Sequence, residues 1–552
     1  MSEIDRYEYI VTLKNKEDLP QFYNDMETPG GDLYIPDRAV AVASRRHLSR
    51  NTHYYLTNEE ADLLKNDPRV MAVSRLPRDL GMEPTPFWTQ TGKFEKGTAI
   101  ESTDKNWGLA RIVNGVQTTG WGTNSVFDEL QASISTDSAG EHVDVVIIDA
   151  HINPAHPEFA RNEDGTGGTR VVNYDWFQHQ TEVGLSGLGT YSYTTISSNH
   201  GTHTAGTTAG NTQGWARKSN IYYMEFNYTP WSQLNGWTLY LFDFLRAWHN
   251  SKPINPATGR RNPTVTNNSW GYSYGSILLT GINEVTYRGS TTNLVGLTTA
   301  DKRTALENNG VPVPAGNFLY RTPARFTPME ADIADAVDDG IIVVASAGNS
   351  YWYATNDPTH PDYDNSITLN DGLLYHSNGS SPGAAPGAIC VGALSTSSQE
   401  YKTNFSNYGD RIDIWAPGQN IISAVYNSTA ASEFGIALAD DPRNPVFKLG
   451  SISGTSMSGP QVAGVLACIM SRYPNYTPQE AYDYLMAKAK TGQIGTTNGN
   501  YGDYTNIRDS KNRYLYFPIE RQQQGSAFPD TSYNLRPATG NIYPRLRIRR
   551  RG

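Results

Sequence analysis

Four side chains in this sequence are of types that together could cleave an acyl bond: Asp149, His200, Asn349 and Ser456. Ser456 lies in GTSMSGPQVAGVLACIM, from Gly454 to Met470, a run of small and apolar residues. Such a run predicts a helix buried on most sides, with Pro460 in its first turn. Ser456 then falls where the helix begins, beside backbone N–H groups that have no intrahelical partner and could stabilise an oxyanion. The plain alternative is a helix N-cap, a position that Ser favours. In VDVVIIDAHINPAHPEF the apolar run from Val145 to Ile148 ends in Asp149. The carboxyl ends of parallel strands line ligand crevices, although Asp is also an ordinary turn residue after a strand. NHGTHTAGTTAG places His200 at the head of another small-residue run, with His203 one turn on. A His pair at that spacing could bind a metal, but no third ligand of matching context follows, so His200 reads as a general base and no metal is expected. Asn349 comes just after the apolar run IIVVASAG, where its amide could donate to a developing negative charge.

A Ser hydroxyl attacks only when a base takes its proton, the base needs an acid to fix its tautomer, and the tetrahedral oxyanion needs donors. Ser456, His200, Asp149 and Asn349 fill those roles. The chain order Asp, His, Ser, and the GTSMS context with Ser458 in its last place, exclude the G-x-S-x-G elbow of α/β-hydrolases.

These residues must be positioned by a scaffold, and the sequence predicts one. Its middle part alternates apolar strand runs such as VDVVIIDA and IIVVASAG with helical stretches such as LYLFDFLRAWHN and PMEADIADAVDDG. That pattern is an α/β domain, a mainly parallel sheet between layers of helices. Residues 1–83 read differently, with YEYIVTL, KEDLPQFYNDM, AVAVASR, THYYLT, NEEADLLKNDP and VMAVSRL in turn. The order strand, helix, strand, strand, helix, strand predicts a small ferredoxin-like α+β domain. Residues 84–106 lack periodicity and read as a linker, 107–492 as the α/β domain, and 493–552 as an irregular tail.

Composition narrows the field. The 552 residues are 38% apolar and 18% charged, which predicts a soluble globular chain. No apolar run approaches the ~18–20 residues of a membrane span, and MSEIDRYEYIVTL puts acids where a signal peptide would be basic and then apolar. Neither a membrane partner nor classical export is expected, and the location is left between the cytoplasm of the producing cell and a virion. A formal net charge of -10 argues against nucleic acid as a partner. PRLRIRRRG at the end is the local exception: Arg545, Arg547, Arg549, Arg550 and Arg551 are either a solvated end or a dock for an acidic or virion partner. Two Cys, Cys390 and Cys468, both in apolar contexts, predict buried free thiols.

Taken together, the motifs resemble those of the subtilisin-like serine proteases, the subtilase family, over about Trp107 to Gly492. WGLARI resembles the opening of a mature proteinase-K-type domain; VVIIDAHINPAHPEF, NHGTHTAG and GTSMSGPQVAG resemble the aspartate, histidine and serine motifs. NNSWG resembles the strand that pairs with the substrate main chain, ASAGN the oxyanion segment, and FSNYGDRIDIWAPG the segment before the serine region. The resemblance implies a three-layer subtilisin-like fold and a protein or peptide substrate. Asp149 would orient, His200 act as base, Ser456 attack and Asn349 donate. Ser269, Trp270 and Gly271 would line the peptide site; Trp270 would form an apolar wall, and Ser346, Ala347 and Gly348 a narrow neutral one. Apolar or aromatic residues would then be preferred before the scissile bond. Residues 7–80 resemble an inhibitor-type propeptide, which implies that the chain's own N-terminal region is its intramolecular inhibitor and is cleaved off within the linker.

Departures from the family pattern carry expectations too. Ala150 and His151 follow Asp149 where a hydroxyl residue and Gly are usual, so the carboxylate is expected to lack a donor. Where the family usually has Ala-Ser-Pro-His, this chain reads Ser458, Gly459, Pro460 and Gln461, a change mostly on the packing side. NTQGW is too short for the calcium loop of secreted bacterial members, so no cofactor is expected. Insertions at Asn250–Pro263 and Tyr272–Thr327 are expected to edge the cleft. The arrangement is similar to subtilases of tailed bacteriophages. That similarity supplies a different reading, a virion or scaffold component in which the protease fold serves binding.

Overall fold

The computed structural model describes residues 6–35, 42–45, 51–75, 88–91, 107–114, 133–136, 138–191, 193, 199–226, 240–325, 327–370, 372–395, 400–435, 438–495 and 506–517. The chain up to Pro86 belongs to one compact unit, and the chain from Phe87 to Glu520 to a second.

The first unit has the element order that the sequence predicts. Strand Tyr7–Leu13 pairs antiparallel with Asn51–Leu56 on one side and Val70–Arg75 on the other, and Val42–Arg45 extends the sheet at Asn51–Leu56. Helices Leu19–Glu27 and Asn58–Leu64 supply Phe22, Met26 and Leu64 to a core completed by Val11, Leu13, Tyr54 and Leu56. The second helix opens with a capping box in which Glu60 N–H donates to Thr57 Oγ1 at 3.3 Å and Thr57 N–H donates to Glu60 Oε2 at 2.8 Å.

The second unit is built on nine strands: β1 (Asp144–Asp149), β2 (Val171–Val172), β3 (Asn220–Glu225), β4 (Thr264–Asn268), β5 (Ile341–Ser346), β6 (Ile389–Leu394), β7 (Ile414–Pro417), β8 (Lys490–Thr491) and β9 (Arg513–Tyr514). They lie in the order β8-β9-β7-β6-β5-β4-β1-β3-β2. Every pairing is parallel except β8 with β9. Successive residues of β1 point to opposite layers: Val145 and Ile147 pack with helices α1 (Asn199–Ala209) and α4 (Thr455–Arg472), whereas Val146 and Ile148 pack with α2 (Leu241–Ser251) and α3 (Thr327–Asp338). A sheet covered on both faces needs strands apolar throughout, which is why these segments read as continuous runs rather than alternations. The result is a three-layer α/β fold.

The insertion after Gly271 buries Leu279, Ile282, Val285, Leu294, Leu306 and Leu319 in one core with Trp352 and Ile367, which follow β5 in the chain. Its stem is a ribbon: Ser273–Tyr274 pairs with Thr322–Pro323, and Ile277–Leu278 with Phe318–Leu319.

Two predicted boundaries need correction. The tail expected from residue 493 begins later, because β9 joins the central sheet beside β7 and both Tyr514 and Leu515 are buried. The linker expected at 84–106 contains a strand, Trp88–Thr91, paired antiparallel with Ser133–Thr136. Both elements are too short for periodicity to reveal. The arginines of the C-terminal end and the presumed processing region after residue 91 lie outside the described residues.

Candidate active site

The N-cap of α4 is Gly454, so Ser456 is the second helical residue and the capping alternative fails. Pro460 lies inside the helix rather than in its first turn. Proline has no N–H for the carbonyl four residues back, which here belongs to Ser456. Ser269 fills the gap: its Oγ donates to Ser456 O at 3.0 Å, while Ser456 Oγ donates to Ser269 O at 3.1 Å. The small residues of α4 have a spatial reason. A Cβ on Gly464 would stand 2.5 Å from Thr208 O and 2.9 Å from Trp215 Cβ, so α4 can lie this close to α1 only with Gly there. Gln461, a departure from the family pattern, accepts a hydrogen bond from Trp215 Nε1 at 2.7 Å.

Asp149 is the last residue of β1 and fully buried, and His200 is the second residue of α1. His200 Nδ1 lies 2.8 Å from Asp149 Oδ1. A Cβ on Gly201 would stand 2.4 Å from Ala150 O, so this glycine lets the start of α1 approach the strand end. The expectation that Asp149 lacks a donor is overturned. Ala150 N–H donates to Asp149 Oδ1 at 2.7 Å, and Thr204 Oγ1 shares its proton between Asp149 Oδ2 at 3.2 Å and Gly201 O at 3.1 Å. Thr204 can do so because it stands one turn after His200 on the same helix face.

Enclosure of His200 pulls its pKa down, but the charge and hydrogen bond of Asp149 outweigh this and hold it above the ordinary imidazole value, with Glu433 adding and Arg321 opposing. Only the neutral imidazole can take a proton. The acidic limb of kcat/KM should therefore lie above the ordinary value of about 6.5. It should move to lower pH in Asp149→Asn, since removing the anion removes what favours the charged ring. A limb at the same pH in both proteins would refute the assignment.

His203 serves a different purpose. It is fully buried, its pKa is pushed down to about 3 chiefly by burial, and Nε2 donates to the carbonyls of Ile421 at 2.9 Å and Gly450 at 3.2 Å. No group of three His, Cys, Asp or Glu side chains among the described residues could hold a metal ion. At the short NTQGW loop the buried carboxylate of Glu158 accepts from the N–H groups of Thr212 and Gln213, each at 3.0 Å, and pairs with Arg443. Burial pushes the Glu158 pKa up, but Arg443 and these donors prevail and hold it below the ordinary carboxylate value.

Asn349 lies three residues past the end of β5. Its Oδ1 accepts from Thr455 N–H at 2.8 Å and from Thr455 Oγ1 at 2.7 Å, and that hydroxyl accepts from Gly348 N–H at 3.1 Å. The two donors fix which end of the amide is oxygen, so Nδ2 is the end turned toward Gly454, 3.3 Å from where a Cβ there would stand. Gly348 has φ +101°, and a Cβ on it would meet Asn407 Nδ2 at 2.4 Å. Asn407 braces this loop: its Nδ2 donates to Ala347 O at 2.8 Å, and its Oδ1 accepts from the N–H groups of Ser350 at 3.2 Å and Trp352 at 2.8 Å.

The expected substrate-site residues occupy neighbouring strand ends. Asn268 of β4 lies opposite Ala345 of β5, so Ser269 and Ser346 follow side by side. The Trp270 ring stacks on Phe226 with centroids 5.3 Å apart and planes 9° from parallel, and meets Tyr272 edge-on at 5.9 Å. Gly271 runs close to Ser380 and Ser381, and Ala347 N–H donates to Val391 O at 3.0 Å. Thr204, Thr455 and Asn407 were not singled out from the sequence. All three stand inside quoted motifs, NHGTHTAG, GTSMSG and FSNYG, but only coordinates show where their polar atoms point.

An acid and an imidazole are hydrogen-bonded at a strand end, and a serine and an oriented amide stand at a helix start, with Ser456 Oγ donating to Ser269 O. A profile of the subtilase family (peptidase S8) matches residues 140–503, and the chain belongs to that family. Among curated relatives, the extracellular serine proteinase of Thermus sp. (strain Rt41A) is 32% identical over 193 residues, 35% of this chain and 35% of that protein. Alkaline protease 1 of Aspergillus clavatus is 24% identical over 383 residues, 69% of this chain and 65% of its own length. A subtilisin-like protease of Coccidioides posadasii is 25% identical over 511 residues, 89% of this chain and 80% of that protein. The chain thus spans less than two-thirds of the first two of these proteins. Among solved structures, a cold adapted subtilisin-like serine proteinase aligns with TM-score 0.42 and 20% identity, covering 74% of this chain and 97% of that one. No helix among the described residues is long and apolar enough to cross a membrane.

Proposed function

We propose that this subtilase is a serine endopeptidase acting through an acyl-enzyme. A peptide lies along Ser269–Gly271. The Ser456 hydroxyl, which rests on Ser269 O, turns to His200, loses its proton to the ring and attacks the scissile carbonyl. Asp149 holds the ring's tautomer and stabilises the imidazolium. Asn349 Nδ2 donates to the oxyanion, and the imidazolium then protonates the leaving amine. Water repeats the sequence to release the acid. The observation that carries this reading is the 2.8 Å contact between His200 and Asp149, with His200 on a helix that packs against the helix opened by Ser456. Fluorophosphonate labelling of wild type and Ser456→Ala tests it. The aromatic stack at Trp270 favours apolar residues before the scissile bond.

The N-terminal unit fits an intramolecular inhibitor that is released by cleavage after residue 83. Intact-mass measurement of an active preparation should find a chain shortened from the N-terminus, and its absence in Ser456→Ala. Only full-length chain in active wild type would overturn the processing step.

A further inference from the structure

We infer that Arg321, carried by the inserted ribbon, recognises a carboxylate on the substrate within the few residues that precede the scissile bond. The inference rests on the endopeptidase reading and adds a charge preference to it.

The ribbon grows out of the strand on which the peptide is proposed to lie. Past Gly271 the chain runs through Tyr272 into Ser273–Tyr274, which pairs with Thr322–Pro323; Arg321 is the residue just before that returning strand. Its place is fixed from two sides. Ala324 N–H donates to Tyr272 O at 3.2 Å, tying the ribbon to the peptide strand. Trp352 Nε1 donates to Tyr320 O at 3.3 Å, and Trp352 is held through its own N–H by Asn407, the brace of the Asn349 loop. Arg321 is thereby anchored to both halves of the site.

Its local geometry displays the charge. Arg321 has φ +47°, a left-handed conformation that non-glycine residues seldom adopt and that here turns the chain between two short paired segments. Its guanidinium sits 4.9 Å from the centroid of the Tyr320 ring, a cation–π contact that orders the side chain without neutralising it. The residue is exposed and has no carboxylate partner among the described residues, unlike Arg69, Arg246, Arg288, Arg325 and Arg443, each paired with an acid. The ribbon's tie to the peptide strand is in keeping with the small opposing effect of this charge at His200, where Asp149 and Glu433 act the other way. The neutral wall of Ser346, Ala347 and Gly348 would not repel an acidic substrate.

The test uses the full chain as purified, with Arg321→Gln and Arg321→Glu, and matched peptides bearing Glu, Gln or Lys at each of four positions before the cleaved bond. At one position wild type should prefer Glu to Lys by about three- to fivefold in kcat/KM, the size of an exposed ion pair, and lose the preference in high salt. Arg321→Gln should abolish the ratio and Arg321→Glu invert it. The acidic limb should also rise in Arg321→Gln, because the charge that opposes protonation of His200 is gone; a merely structural arginine would not move it. A Glu/Lys ratio that survives in an active Arg321→Gln overturns the inference. Wild type that is not labelled by a fluorophosphonate at Ser456 overturns the endopeptidase reading, and the inference with it. Labelling with no charge preference overturns the inference alone.

Discussion

Ser456→Ala is expected to lose both fluorophosphonate labelling and nearly all peptide hydrolysis, a fall in kcat of about a million-fold. The size is that known for subtilisin and is transferred through the family rather than derived from these distances. The physical reason is local: Ser456 Oγ is the hydroxyl on the helix start beside Asn349, and Ala leaves nothing to attack. The fold should survive, because the main-chain partner of Ser269 Oγ is Ser456 O, which Ala keeps. His200→Ala should cost about as much, since the hydroxyl then keeps its proton, and the double variant should be little worse than either. Circular dichroism of each variant beside the kinetics separates lost chemistry from lost folding. Hydrolysis undiminished in a folded Ser456→Ala would make Ser456 a packing residue and give the lead to a binding role for the fold.

Asn349→Ala should lower kcat by about 100- to 1000-fold with KM nearly constant, a range again taken from subtilisin. The split follows from timing: Nδ2 gains a strong acceptor only when the carbonyl oxygen becomes an oxyanion. Asn349→Asp is the sharper variant, because it replaces the donor by an acceptor and asks Thr455 to donate to a carboxylate instead. Thr455→Val should reproduce part of the loss by freeing the amide to rotate, since it removes one of two donors to Oδ1. A rise in KM with kcat unchanged in Asn349→Ala would mean that the amide binds substrate in its ground state.

Much of this was legible because the chemistry sits where secondary structure changes. Asp149 at the end of an apolar run, His200 and Ser456 at the heads of small-residue runs, and Asn349 past a strand could each be placed by periodicity alone. Their partners could not. Thr204 is a helical Thr like its neighbours Thr202 and Thr207, and nothing in the letters says that its hydroxyl reaches Asp149. The missing donor beside Asp149 was inferred from the next side chain, whereas the chain supplies one donor from that residue's own N–H and another from a different element. Gly454 rather than Ser456 caps α4, since both types occur at caps and the sequence does not choose. The late strand Arg513–Tyr514 was illegible for a different reason: two residues carry no period, and its place is set by Trp415 across the sheet.

Thr204 and His200 ride on one helix, and this has a mechanical consequence. Any rigid displacement of α1 carries the base and one tether of its acid together, while the Ala150 N–H keeps the other carboxylate oxygen at the strand end. A hydroxyl at residue 150 would have added a second hold to the strand end, where the Ala150 N–H already donates, and none to the helix that carries the base. With the hydroxyl on the helix, the carboxylate is gripped from two elements, one oxygen by the strand end and the other by the helix that bears the ring.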